Sequence, residues 1–174
     1  LASNYTLAGT TGHAATITPL ALSISGTNAI SRSYDGSTTA SFTPGTLSGL
    51  LGSETLNVAA TGSFDSANAG NRTASATYTL SDGTGLASNY TLAGTTGHAA
   101  TIAPRALGIS GTTATGRSYD GTTAATLTAG TLSGLVGSET LNVAANGSFD
   151  SANAGNRTAS ATYTLSDGTG LASN

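Results

Sequence analysis

Seventeen consecutive residues, "LASNYTLAGTTGHAATI", stand at Leu1–Ile17 and again, unchanged, at Leu86–Ile102. The same offset of 85 carries Tyr34 onto Tyr119, and it carries "GSFDSANAGNRTASATYTLSDGTG" from Gly62–Gly85 onto Gly147–Gly170. Differences cluster between Thr18 and Thr61, for example Phe42 against Leu127 and Pro44 against Ala129. A fixed internal period names an architecture before any single residue is read. Eighty-five residues exceed a solenoid repeat and suit a small domain repeated in tandem.

Within one period the pattern is that of strands. Leu56, Val58, Ala60 and Phe64 share one face, with Asn57, Ala59 and Thr61 on the other. Ala74, Ala76, Tyr78 and Leu80 point inward, and Thr73, Ser75, Thr77 and Thr79 outward. Leu20, Leu22 and Ile24 alternate likewise, as do Tyr90 and Leu92. Such alternation marks strands with one wet face. Their shortness, and the Gly, Asn, Asp and Ser clusters between them, predict an all-β sandwich. No stretch carries a helical period.

The period also has a phase. Ile17 occupies an odd position while Leu20, Leu22 and Ile24 occupy even ones, so the inward face switches across Thr18-Pro19. A strand cannot make that switch without a bend, and proline cannot donate to a central ladder. Module junctions are therefore expected near Pro19 and Pro104. Residues 18–102 form a complete module, and residues 103–174 a second that lacks its last strands. Residues 1–17 are the terminal strands of a preceding module. An exposed edge of this kind is adhesive. The expectation is that the chain is part of a longer array, or that the tail of one copy completes the end of the next.

Composition narrows the function. Only 7% of residues are charged, against roughly 25% in ordinary soluble domains. The five cations are Arg32, Arg72, Arg105, Arg117 and Arg157, scattered rather than clustered, which argues against nucleic acid as a partner. No apolar run approaches the roughly 18 residues of a membrane span, and no signal peptide stands at the start. There is no cysteine, so disulfide staples are excluded. With neither lysine nor glutamine, internal isopeptide and ester crosslinks cannot form either.

"SYDGTTAATLTAGTLSGLVGSETLNV", "FDSANAGNRT" and "NYTLAGTTGHAATIAPRAL" together resemble the YDG-type and MBG-type repeats found in tandem in large bacterial surface adhesins, including haemagglutinin-like secreted proteins. The resemblance covers nearly the whole period in both copies. It implies an Ig-like β-sandwich on an exported bacterial protein, serving as stalk or filament. It supplies no catalytic residue.

The candidate sites fit that expectation. Asp-Gly in "YDG", at Asp35-Gly36 and Asp120-Gly121, is a strong turn signal. It is read as a turn with a packed tyrosine, with Arg32 or Arg117 pairing a nearby carboxylate. Asp65, Asp82, Asp150 and Asp167 each stand alone in a loop, whereas calcium takes several carboxylates, so these acids are expected to bond their own backbone. His13 and His98 have no partner nearby of metal-ligating type and are expected as partly exposed strand residues. No serine stands in a nucleophile elbow. Asn4, Asn71, Asn89, Asn146 and Asn156 fall in glycosylation sequons, weak signals in so threonine-rich a chain. Catalytic, cofactor and metal residues are all expected to be absent, and no ligand-binding residue can be named. The expected function is structural: head-to-tail modules forming an extracellular rod or fibre, with neighbouring copies of the same repeat as partners. The alternative is a glycan- or receptor-binding module, for which Tyr34 and Tyr119, each beside an acid, offer the aromatic platform.

Overall fold

The computed structural model describes residues 2–9 and 11–174, so Leu1 and Thr10 of the N-terminal tail lie outside it. The protein is all-β, with no α-helix among the described residues and none long and apolar enough to cross a membrane. Nine strands lie between residues 20 and 103. They are β1 (Leu20–Ser25), β2 (Asn28–Ala29), β3 (Arg32–Ser33), β4 (Thr39–Thr43), β5 (Thr46–Ser48), β6 (Leu56–Phe64), β7 (Gly70–Asp82), β8 (Tyr90–Leu92) and β9 (Thr95–Ala103). Six follow: β10 (Gly108–Ser110), β11 (Thr113–Thr115), β12 (Ala124–Thr128), β13 (Thr131–Ser133), β14 (Leu141–Phe149) and β15 (Ala159–Asp167).

The first nine make two sheets, β5-β1-β8 and β2-β4-β6-β7-β9-β3. Their backbone is the β6–β7 hairpin, paired from Leu56↔Asp82 to Phe64↔Ala74. Small and aromatic side chains alternate onto its inner face. Phe64, Ala74 and Ala76 are buried there with Ala40 and Phe42 of β4 and with Ile102 of β9. Ile102 is fully buried, because β9 is an interior strand, antiparallel to β7 and parallel to β3.

Residues 103–174 repeat the register of that hairpin, Leu141↔Asp167 to Phe149↔Ala159, but build only β11-β12-β14-β15 and the pair β10-β13. No strand there corresponds to β8 or β9. The consequence is visible in identical sequence. "GNRTASATYTLSD" is strand throughout β7, whereas its copy at 155–167 becomes strand only from Ala159. Gly70–Thr73 are strand because β9 lies beside them; Gly155–Thr158 have no such neighbour. In the same way Arg32-Ser33 form β3 against β9, and Arg117-Ser118 form no strand. Every buried apolar side chain of the described residues lies between Leu22 and Ile102. The counterparts in the second half, such as Phe149 and Ala161, are only partly covered.

The N-terminal tail, expected as the terminal strands of a preceding module, meets no sheet in this structure. It forms a 3-10 turn at Ala2–Asn4 and no strand over the described residues up to Pro19. Tyr5, Leu7 and Ile17 are 82%, 99% and 98% exposed. The identical residues at 86–102 form β8 and most of β9. Strand formation here follows from having a sheet to pair with rather than from local propensity. His13, expected on a strand, therefore sits on none, while its copy His98 lies on β9.

Candidate functional site

The duplicated Tyr-Asp-Gly is a turn in both halves. Gly36 has φ +78° and Gly121 φ +77°, a left-handed conformation that glycine takes without steric cost. Asp35 Oδ1 accepts the Ser37 backbone N–H at 2.8 Å, and Asp120 Oδ1 accepts that of Thr122 at 2.9 Å. Arg32 pairs with Asp35, and Arg117 with Asp120. Burial opposes ionisation of Asp35, but the Ser37 groups and Arg32 outweigh it and hold the carboxyl below its ordinary value. Asp120 is lowered chiefly by the Thr122 N–H, then by Arg117. The tyrosines differ. Tyr34 is packed, 5% exposed, but Tyr119 is 70% exposed, which corrects the reading of a packed tyrosine in both copies. The physical reason lies in what stands around each.

In the first half β9 brings a polar set together under the sheet. Tyr78 donates its hydroxyl to Thr27 Oγ1 at 2.9 Å and lies 2.6 Å from Thr95 Oγ1. His98 joins Thr95 at 2.6 Å and the Thr27 carbonyl at 3.0 Å, with its ring edge-on to Phe42. In the second half Tyr163 keeps the bond to Thr112, at 2.9 Å, but nothing corresponds to Thr95 and His98, and Tyr163 is 40% exposed.

Three recesses in the second half coincide with what β8 and β9 cover in the first. Arg117, Tyr119, Phe149, Gly155 and Arg157 line a groove of about 330 Å³. Their counterparts Arg32 and Gly70 are the residues paired with Ile102. Thr112, Ala114, Leu127 and Tyr163 line one of about 390 Å³, where the counterparts Thr27, Phe42 and Tyr78 contact His98 or Thr95. A smaller cavity of about 60 Å³ is lined by Leu107, Val136, Glu139 and Leu165 of the second half and by Tyr34 of the first. In the first half the counterparts Leu51 and Glu54 meet Tyr90, whose hydroxyl accepts the Leu51 N–H at 3.3 Å and donates to Glu54. That bond raises the Tyr90 phenol above its ordinary value.

The two halves also touch. Tyr34 donates its hydroxyl to Glu139 Oε1. Val136 closes on Gly36, where a Cβ would lie 3.1 Å from its Cγ1. Asn174 accepts the Ala69 N–H at 2.9 Å through Oδ1, and its Nδ2 donates to Asn68 Oδ1 at 3.3 Å. The Glu139 bond, then burial, raise the Tyr34 phenol above its ordinary value. No local pattern announces this contact, because Tyr34 and Glu139 stand 105 positions apart.

Two tandem matches to the YDG domain cover residues 18–97 and 103–174. The chain belongs to the YDG domain family. No curated protein and no solved structure matches it.

The remaining candidates of the two YDG domains bond locally. Asp82 Oδ1 accepts the Ala87 N–H and Asp167 Oδ1 the Ala172 N–H, both at 2.7 Å. Asp65 Oδ1 accepts the Thr73 N–H at 3.3 Å, and Asp150 Oδ2 accepts the Thr158 hydroxyl at 3.1 Å. No three metal-ligating side chains converge among the described residues. The arginines of the "NAG" loops, Arg72 and Arg157, spend their guanidiniums on loop carbonyls, Asn68 and Ala69 in one domain and Asn153 and Ala154 in the other.

Proposed function

We propose that this tandem pair of YDG domains is a non-enzymatic structural segment of a bacterial surface adhesin or extracellular filament, of the YDG-type and MBG-type kind, with Ig-like sandwich modules joined head to tail. One observation carries the reading. Residues 103–174 present recesses matching the places of β8 and β9, and residues 5–17 hold the same sequence as those strands with their apolar side chains in water. Tyr5 corresponds to Tyr90, His13 to His98 and Ile17 to Ile102. Burying such side chains is worth about 1.5–3 kcal/mol each, and pairing also satisfies the open backbone edge. The occupant is a segment of this sequence, supplied by a longer repeat chain or by a second chain.

A synthetic peptide with the sequence of residues 4–18 tests this. Added to the protein carrying Ile17→Asp, it should bind one to one and convert Gly155–Thr158 to strand, seen as new amide protection in hydrogen exchange. Equal binding by a peptide with the same Asp, or none at all, rejects strand completion.

A second reading, glycan recognition, is favoured by the exposed Tyr119 beside Asp120, in a groove also lined by Asn153 and Asn156. It requires sugar binding that Tyr119→Ala abolishes and that the peptide competes away. The geometry favours the strand, because the counterpart groove in the first domain is already filled by β9.

A further inference from the structure

We infer that the tyrosine of the YDG turn is the ligand of a repeating docking interface between domains, and that the free faces at the two ends of this chain are its two unused halves, the partner being another copy of the same domain. This deepens the structural reading above and rests on it for the supply of further copies.

The interface seen between the two domains includes three contacts. Tyr34, Gly36 and the Asn68-Ala69 loop of the first domain meet Glu139, Val136 and Asn174 of the second. Every one of these residues has a counterpart 85 positions away. The first set recurs at Tyr119, Gly121 and Asn153-Ala154 of the second domain, identical in every residue. The second set recurs at Glu54, Leu51 and Asn89 of the first, with leucine in place of valine as the one change. In the chain as it stands Tyr119 is 70% and Leu51 62% exposed and Glu54 is half-buried, whereas Tyr34 is 5% exposed and Val136 packs against the first domain's core.

The carboxylate can serve two tyrosines at once. Glu54 takes Tyr90 of its own domain on Oε2, and Glu139 takes Tyr34 of the neighbouring domain on Oε1. Oε2 faces the same glycine in both domains, Gly85 in one and Gly170 in the other, so the two acceptor sites are distinct oxygens rather than one oxygen in two orientations. Glu54 thus keeps an oxygen for an incoming YDG tyrosine while Tyr90 remains bound. Charge-assisted hydrogen bonds of this type are the strong ones. Gly36 contributes by having no Cβ where Val136 arrives. The two halves are different surfaces, so the contact is heterologous and does not close on itself as a two-fold pair would; it extends from one domain to the next.

The absence of cysteine makes a direct test available. One protein carries Ala154→Cys and a second carries Asn89→Cys, positions that correspond to the Ala69–Asn174 contact. The two are mixed with a short thiol-to-thiol linker, and covalent dimers are counted by mass. Docking predicts mixed dimers well above twice the yield of either homodimer, the ratio that random pairing of equal amounts gives. Tyr119→Phe in the first protein should reduce that excess about tenfold, the loss of one hydrogen bond to a charged acceptor. Mixed dimers at only twice either homodimer, as in random pairing, overturn the docking interface, and an excess above that indifferent to Tyr119→Phe overturns the tyrosine's part in it. Ile17→Asp in the second protein separates this inference from strand completion. Mixed dimers that survive it while the peptide of residues 4–18 fails to bind uphold the docking interface and reject the strand; peptide binding without mixed dimers does the reverse.

Discussion

Ile102 and Ile17 close the same seventeen-residue sequence, and truncating each to alanine should give unequal results. Ile102 is fully buried in an interior strand, between Arg32 of β3 and Gly70 of β7, beneath Phe64 and Ala74. With a strand on either side the backbone cannot collapse into the space vacated, so Ile102→Ala should cost about 2–5 kcal/mol, the transfer term plus the cavity term. Ile17 is 98% exposed, and Ile17→Ala should stay within about 0.5 kcal/mol in dilute solution. Urea unfolding followed by circular dichroism measures both, with the midpoint shifting at constant slope. At about 4–8 °C per kcal/mol for a domain of this size, melting reports the same difference. If the tail fills the groove of a second chain, the cost of Ile17→Ala rises with protein concentration, because binding stabilises by mass action. A cost below about 1 kcal/mol at Ile102 would refute the interior position of β9. An equal cost at both sites in dilute protein would refute the claim that context alone distinguishes the copies.

The Asp35 carboxyl is held low in the folded state, so its contribution is full above the unfolded value near pH 4 and is lost as pH falls through the folded value; Asp35→Ala should cost about 0.5–2 kcal/mol at neutral pH and much less in acid, by denaturation at both pH values. Tyr34 shifts the other way: its contribution is full below the unfolded phenol value near pH 10 and is lost as pH rises through the folded one. Ring-carbon NMR should find Tyr34 titrating above the ordinary phenol value, with Glu139→Gln moving it down. Gly62→Ala should destabilise by at least about 1–3 kcal/mol, because a Cβ there would lie 1.9 Å from the Ser75 carbonyl oxygen and 3.0 Å from the Phe42 ring; a variant that melts like the parent would contradict the close approach of β6 and β7.

The inward faces of β6 and β7 were legible because period-two alternation is local: Phe64, Ala74 and Ala76 could be named as core from their neighbours alone. The Asp-Gly turns were legible for the same reason. What could not be read was which strands meet. The parallel pairs β1–β8 and β3–β9 join segments 70 residues apart and leave no periodic trace. The Tyr34–Glu139 bond is hidden further, since the tyrosine's fate depends on a neighbouring domain. A signal existed: a tyrosine in one loop and a glutamate in another recur together in both copies, although neither loop needs a charged or aromatic residue to turn. The tail shows the converse limit, for its sequence is a good strand and its surroundings supply no sheet.

The entry and the exit strand of the first domain each belong to a parallel pair. The chain enters through β1, which lies along β8 with Leu20↔Tyr90, Ala21↔Thr91 and Leu22↔Leu92 in register. It leaves through β9, beside β3. Tension applied to the chain ends pulls β1 backward along β8 and β9 forward along β3. The hydrogen bonds within each pair are then strained sideways and together, rather than opened one after another as in a peeled hairpin. A domain built this way yields only when the whole pairing slips at once, so each repeat in a pulled row would behave as a shear-loaded clamp.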